Sequence, residues 1–443
     1  MVSWSIMDSP SSAAHVSPSP SLRFKIPHLR WYICALLFFA STINYIDRQT
    51  IGVLKPHFLQ PQLNWSESDY GWIINAFMVA YAIMMIVSGA AIDRLGTRVG
   101  YALAIAWWSI AAMAHALARG AFSFGVARFF LGAGEAGNFP AAIKTVAEWF
   151  PVKERALAIG LFNAGTNMGA MLTPPLAIWL ALKWGWQMAF IATGAVGFIW
   201  LILWLMIYRL PGQHPRLSED ELRHIQSSDG EGATESEPKI PWRKILSYRQ
   251  AWGFITAKFM TDPIWWFYVF WLPSYLQQAR GFTAKDLAYF SWIPYLVADG
   301  GSVLGGWLSG HWIKCGWSVS RARKTTMVIF AFCMPAGVAA VFAPNAQLAL
   351  ALISIAMASH QAWSANVFTL ASDMFPKRDL GSVVGLGGAA GAVGGMIIAP
   401  VAGYVLQWFH TYVPLFIIAS VMHPLAIGLV QVLIPKVKPV TQK

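Results

Sequence analysis

The chain has 443 residues, of which 56% are hydrophobic and only 12% charged, with a mean hydropathy of +0.50. Soluble domains carry roughly a quarter charged residues, so a soluble enzyme, a nucleic-acid binder and a disordered scaffold are excluded. The length allows about twelve membrane spans of roughly twenty residues. The net charge of +12 then needs a source other than a polyanion.

Residues 1–30 form a Ser- and Pro-rich tail that lacks the apolar core of a secretory signal and reads as disordered and cytoplasmic. Apolar runs then predict helices over 31–54, 69–92, 99–118, 122–147, 155–181 and 186–208. The stretch 209–249 holds Glu219, Asp220, Glu221, Asp229, Glu231, Glu235 and Glu237. Such a stretch is expected to be a solvated linker between two halves. Six further helices are predicted over 250–278, 287–313, 325–343, 347–373, 381–407 and 412–434, followed by a short tail over 435–443. The chain thus divides into a six-helix bundle at 31–208 and another at 250–434.

The basic residues explain the charge. Twenty-three Lys and Arg fall in the tails, the linker and the loops on one side. The opposite loops hold only Lys55, Arg119, Lys183, Arg280 and Lys285. Cytoplasmic loops of membrane proteins carry such an excess, which places both termini and the linker in the cytoplasm. Cys34, Cys315 and Cys333 form no Cys-x-x-Cys pair, so neither a disulfide framework nor a metal site is expected. No phosphate-binding lysine loop appears, and no cofactor is expected.

The halves repeat one another. At a shift of 217, Pro56 matches Pro273, Trp65-Ser66 matches Phe282-Thr283 and Gly89 matches Gly306. At a shift of 225, Phe150-Pro151, Gly160, Gly169, Met171 and Pro175 match Phe375-Pro376, Gly385, Gly394, Met396 and Pro400. Two parallel six-helix repeats place a substrate site between them near the midplane of the bilayer. Gly165 and Gly169, and the ladder Gly387, Gly391 and Gly395, suit close helix approach.

Gly89-Ala-Ala-Ile-Asp93-Arg94-Leu-Gly96-Thr-Arg98 resembles the G-x-x-x-D-R-x-G signature of the major facilitator superfamily. The resemblance implies a charge network at a cytoplasmic gate, carried by Asp93 with Arg94, Arg98 and Arg155. The second copy, Gly306-Trp-Leu-Ser-Gly310-His311, lacks the Asp-Arg pair, and a symmetric second gate is not expected. Three segments narrow the resemblance. These are Asn44-Tyr45-Ile46-Asp47-Arg48, the run Arg128 to Pro140 with Gly132, Gly134, Glu135, Gly137 and Asn138, and the run from His360 and Gln361 to Asp373-Met374-Phe375-Pro376. Together they resemble the anion:cation symporter family. Thr261-Asp262-Pro263-Ile264-Trp265-Trp266 looks closer to its bacterial hexuronate transporters than to its galactonate transporters, which also implies a bacterial inner membrane.

The residues point the same way without the family. An ionisable group inside a span is costly and is by default functional. Asp47, Arg48, Arg128 and Glu135 are such groups. Arg48 is expected to bind a substrate carboxylate, because its planar fork matches two oxygens. Asp47 and Glu135 are expected to carry protons, with Arg128 as the partner of Glu135, since the two lie two turns apart on one face. The competing reading is a static set of ion bridges. Lys258 and Asp262 have the spacing to pair on one helix, with structural and functional readings open, and Asp299 is ambiguous. His360 occupies the repeat position of Glu135. A polar face with His360, Ser364 and Asn366, flanked by Trp363, is expected to contact sugar hydroxyls. By resemblance Tyr45 and Tyr81 belong to the sugar-acid pocket, with Asn163 and Thr166 as weaker candidates. Trp65, Trp72, Trp184, Trp186, Trp242 and Trp408 are expected to be interfacial anchors.

The expected function is proton-coupled import of a sugar-acid monocarboxylate, foremost a hexuronate, by a monomer that takes a small organic anion and protons. Another organic anion (galactonate, glucarate or an aromatic acid) and a receptor without turnover remain as alternatives. No nucleophile–base constellation suggests an enzyme.

Overall fold

The computed structural model describes residues 25–226, 242–375 and 377–440. Among them every regular element is helical. Of the tail predicted over 1–30, residues 1–24 lie outside the described residues, as do the acidic residues Asp229, Glu231, Glu235 and Glu237. Residues 25–30 are ordered, against the expectation: the Ile26 N–H donates to the Arg216 carbonyl at 3.0 Å, and the first helix begins at Leu29.

Twelve rods follow in chain order. The first half comprises α1 (Leu29–Leu54), α2 (Glu67–Leu95), α3 (Thr97–Ala114), α4 (Ala121–Glu135 and Asn138–Trp149), α5 (Val152–Trp184) and α6 (Trp186–Ile207). The second comprises α7 (Arg249–Arg280), α8 (Ala284–Phe290 and Ile293–Lys314), α9 (Val319–Cys333 and Ala336–Val341), α10 (Ala346–Met374), α11 (Lys377–Phe409) and α12 (Val413–Leu433). Among the described residues, seven of the rods are long and apolar enough on their own to cross a membrane.

Three of the predicted continuous helices are broken, and α4 shows why. Pro140 has no N–H to give the Ala136 carbonyl four residues earlier. The Ser88 hydroxyl of α2 donates to that carbonyl instead, at 3.2 Å. The break falls immediately after Glu135 and fixes where its side chain leaves the helix.

The repeat is visible in the packing. A Cβ on Gly169 would lie 2.5 Å from the Thr42 carbonyl oxygen, and one on Gly394 would lie 2.6 Å from the Phe259 carbonyl oxygen. Thr42 and Phe259 differ by 217, Gly169 and Gly394 by 225, the two shifts read from the sequence. Thus α5 lies on α1 as α11 lies on α7. Only glycine allows backbones this close.

The halves meet through α2 and α11, α1 and α7, and α5 and the leading segment of α8. These contacts close the end away from the termini. A Cβ on Gly71 would fall 2.8 Å from the Ala399 carbonyl oxygen, and one on Gly403 would fall 2.6 Å from that of Glu67. Glu67 accepts hydrogen bonds from Lys55 at 2.6 Å and from Gln278 of the other half at 2.8 Å. Trp72 donates to the Tyr404 hydroxyl at 2.9 Å. Towards the termini, Gly160 and Gly388 line a cavity, and a Cβ on either would meet nothing within 4 Å. The molecule is open at the end that carries its termini.

At that end the linker is less solvated than expected. The Glu221 carboxylate is buried and accepts from the backbone N–H groups of Leu29 and Arg30, at 3.0 and 3.2 Å. It also pairs with the Arg30 guanidinium at 2.9 Å. A carboxylate at a helix N-terminus satisfies donors that have no partner in the helix. Of the expected interfacial tryptophans, Trp72, Trp184 and Trp408 are exposed, and Trp65 and Trp186 are buried. Trp65 packs edge-on against Phe124 at 4.6 Å, and the Trp186 indole donates to Gln62 at 2.9 Å. The Trp242 side chain lies outside the described residues.

Candidate functional site

A cavity of about 640 Å³ separates the halves at mid-height. Its walls carry Tyr45, Arg48, Tyr81, Asn163, Thr166, Lys258, Asp262, Asp299, His360 and Ser364, all read from the sequence as candidates. They reach one space because α1, α2, α5, α7, α8 and α10 each turn a polar stripe inward while their other faces pack.

On the wall of the first half Arg48 is the centre. Its Nε donates to Glu135 Oε2 at 2.7 Å, and a terminal nitrogen donates to Asn44 Oδ1 at 3.1 Å. Its guanidinium carbon lies 4.6 Å from the Tyr45 ring, 4.9 Å from Tyr81 and 5.5 Å from Trp266 of the other half. Aromatic faces attract a desolvated cation, so the cage holds Arg48 while its fork stays at the cavity wall. The other Glu135 oxygen is buried without a hydrogen-bond partner among the described residues. A buried carboxylate held by one partner costs much if that partner is drawn away.

Arg128 is not the partner of Glu135. One terminal nitrogen donates to the Arg48 backbone carbonyl at 2.6 Å, and its guanidinium lies between Phe77 and Phe270, 5.1 and 5.8 Å from their centroids. Two turns of α4 separate the two residues, and Arg48 reaches Glu135 first by crossing from α1. Nε and the remaining terminal nitrogen of Arg128 have no partner among the described residues. Asp47 is buried, and neither of its oxygens has a hydrogen-bond partner within range among the described residues. It turns towards Thr193 of α6, away from Arg48, as adjacent helical positions must. Around Arg48 the first half thus buries two acids, Asp47 and Glu135, and two arginines, Arg48 and Arg128, with one ion pair among these four.

The second wall is different. Lys258 and Asp262 pair at 2.8 Å, as their spacing allowed. His360 stacks on Trp265 with centroids 5.6 Å apart and planes at 13°. Its Nδ1 shares a hydrogen bond of 3.1 Å with His423 Nε2 of α12. Asp299 accepts from the Asn167 amide across the halves. Two expected contact residues face elsewhere. Trp363 is fully buried, with its ring 5.4 Å from His423. The Asn366 amide donates to the Gly305 and Ala362 carbonyls at 3.0 and 2.9 Å. It holds α8 on α10, where Gly305 permits contact. Both lie on the face of α10 opposite Gln361 and Ser364.

Sequence reading missed Asn167, Phe368 and His423. Gly160, Asn163, Ala164 and Asn167 follow one helical stripe, a signal that was present. A histidine midway along the largely apolar α12 was another.

At the expected gate, Arg98 donates to the Leu205 carbonyl at 2.5 Å and Arg94 is exposed. The side chains of Asp93 and Arg155 lie outside the described residues. Nearby, Glu148 accepts from Thr97 at 2.7 Å and from the Tyr208 hydroxyl. The second half, where the motif is degraded, holds an ion pair between Arg323 and Asp373 at 3.1 Å. Asp373 is the repeat mate of Glu148 by the shift of 225, so an acid persists at this corner without the motif.

Comparison with known proteins agrees with this architecture. The Major Facilitator Superfamily model matches residues 37–368. The hexuronate transporter of Escherichia coli strain K12 is 35% identical over 401 residues, covering 90% of this chain and 92% of its own length. The galacturonate transporter of Dickeya chrysanthemi is 38% identical over 308 residues, covering 69% of this chain and 89% of its own length. The xylose transporter XylE from E. coli, in a partially occluded inward open conformation, superposes with a TM-score of 0.71 at 15% identity, over 94% of this chain and 100% of that one.

Proposed function

This chain belongs to the Major Facilitator Superfamily, and from that premise we propose that it is a proton-coupled importer of a hexuronate such as glucuronate or galacturonate. The observation that carries the proposal is the buried Arg48–Glu135 ion pair on the cavity wall. The identity to the hexuronate and galacturonate transporters supports the substrate class.

A substrate carboxylate and Glu135 compete for the same guanidinium. While Glu135 is ionised, Arg48 is neutralised and the cavity offers a poor anion site. A proton on Glu135 frees the fork of Arg48 for two substrate oxygens. Loss of substrate on the other side returns Arg48 to Glu135, which must then release the proton. Substrate and proton therefore travel together. Asp47 is a second carboxylate available for a proton, and Arg128, with two unpartnered nitrogens, is the cation that can answer its charge. Tyr45 and Tyr81 hold Arg48. His360 and Ser364 serve the sugar end. The cavity volume lies in the range of small-molecule sites.

The positive charge on the terminal side supports a cytoplasmic location for both termini in a bacterial inner membrane. The structure is then the inward-facing state, and rocking of the halves about the central cavity gives alternating access. The cycle needs no second copy of the chain, and we assign a monomer.

The test is uptake of labelled glucuronate into proteoliposomes under an inward proton gradient. The wild type accumulates substrate. Glu135→Gln loses accumulation and keeps counterflow, since a neutral side chain mimics the protonated state. One proton per anion makes the wild type indifferent to membrane potential; a second proton would add about 2.3 kcal/mol per 100 mV. Glucuronate binding without accumulation in the wild type would refute the symporter.

A further inference from the structure

The mechanism above leaves one ion pair of the cavity unused. Lys258 and Asp262 of α7 pair at 2.8 Å on the wall opposite Arg48, and both line the cavity. The Lys258 ammonium also rests 4.3 Å from the centroid of Phe368. The carboxylate lies directly on Gly391 of α11, where a Cβ would come within 2.2 Å of Oδ2. The glycine ladder therefore does more than let α11 approach α7. It makes the room in which Asp262 sits.

While Asp262 is ionised, a Lys–Asp pair of this kind is a poor second carboxylate receptor. Its cation is already neutralised, and an incoming carboxylate would lie beside Asp262. What it offers is a donor and an acceptor side by side. The ammonium has three N–H groups, and the carboxylate has lone pairs beyond the one that meets Lys258. A hydroxyl both donates and accepts, so adjacent hydroxyls of a polyol match the pair: one donates to Asp262 while the next accepts from Lys258. Trp265 and Trp266, on the same helix within about one turn, line the cavity alongside. They supply an apolar face for a sugar ring.

We propose that the Lys258–Asp262 pair, seated on Gly391, is a hydroxyl-reading subsite that admits sugar monocarboxylates and rejects the corresponding dicarboxylates. The proposal rests on the sugar-acid reading above. Arg48 takes the single carboxylate, and Asp262 repels a second one at the far end of the substrate.

The experiment is counterflow of labelled glucuronate in proteoliposomes without a proton gradient, with unlabelled glucuronate or glucarate as competitors. In the wild type, glucarate competes at least tenfold more weakly than glucuronate. In Asp262→Asn the acceptor charge is lost and Lys258 becomes an unneutralised cation. The KM for glucuronate then rises about tenfold to a hundredfold, the range of a charge-assisted hydrogen bond, and glucarate becomes the better competitor. Accumulation under a proton gradient persists in this variant, which separates the subsite from proton coupling. Equal competition by the two acids in the wild type overturns the proposal, and that result needs no variant to fold. So does a glucuronate KM in Asp262→Asn within twofold of wild type, or loss of accumulation with binding retained. Absence of glucuronate exchange in the wild type would instead remove the hexuronate assignment. Galactonate against galactarate then carries the same test of Asp262.

Discussion

Arg48 and Glu135 form an ion pair on one wall of the cavity. Trp265 and His360, at the same repeat positions of the second half by the shifts of 217 and 225, form a ring stack on the other. The backbone around both is alike, as the matched approaches at Gly169 and Gly394 show. One fold repeated twice has thus been given opposite chemistry at one pair of positions. The first half meets charge, and the second meets a ring and its hydroxyls. Within the proposed cycle this division means that proton coupling and substrate choice reside on different walls. Mutations should separate them.

The largest effect is expected at Arg48. Arg48→Lys keeps the charge but loses the planar fork, and glucuronate uptake should fall by about a hundredfold, the upper range for hydrogen bonds to charged groups. Trp265→Ala tests the other wall. Its KM for glucuronate should rise about tenfold, the scale of one lost aromatic contact, while the accumulation ratio under a proton gradient stays at the wild-type value. Loss of coupling in this variant would break the division of labour. The shared backbone gives a matched pair: Gly169→Ala and Gly394→Ala each press a methyl group on a carbonyl and should each cost about 1–3 kcal/mol. Thermal unfolding in detergent would check that the two lower the melting temperature alike. The smallest effect concerns the closed end. Gln278→Ala removes the hydrogen bond to Glu67 across the halves and the one accepted from the Tyr412 hydroxyl, each worth about 1 kcal/mol. Distances between spin labels on the outer ends of α2 and α11 should broaden towards longer values.

Much of this was legible in the sequence because its signals are local or periodic. Twelve spans follow from apolar runs, and the repeat follows from glycines and prolines at constant offsets. The ionisable residues inside spans stood out because burial of charge is costly. Arg48, Lys258, Asp262 and Asp299 line one cavity, and Asp47, Arg128 and Glu135 lie buried outside its lining. Partner choice was not legible. Arg128 and Glu135 share a helix face, yet Arg48 from α1 takes Glu135, a tertiary outcome that spacing along α4 does not encode. Trp363 and Asn366 lie beside cavity residues in sequence but on the other face of α10, where Asn366 binds the Gly305 carbonyl. Their rotation is set by the packing of α8. The break in α4 had its signal in Pro140, but the hydroxyl that makes it tolerable, Ser88, comes from a different helix. Glu221 was read as solvated from its acidic neighbours, and the vacant N–H groups at the start of α1 bury it instead.

The central claim is that substrate and Glu135 exchange Arg48, so that a proton enters with the anion. Calorimetric titration of the purified protein with glucuronate, in buffers of different ionisation enthalpy, counts protons taken up on binding. The account predicts uptake of about one proton per glucuronate in the wild type above the range where Glu135 is already protonated, and none from this site in Glu135→Gln. Glucuronate binding with no proton uptake in the wild type at any pH, or with the same uptake in Glu135→Gln, would contradict it.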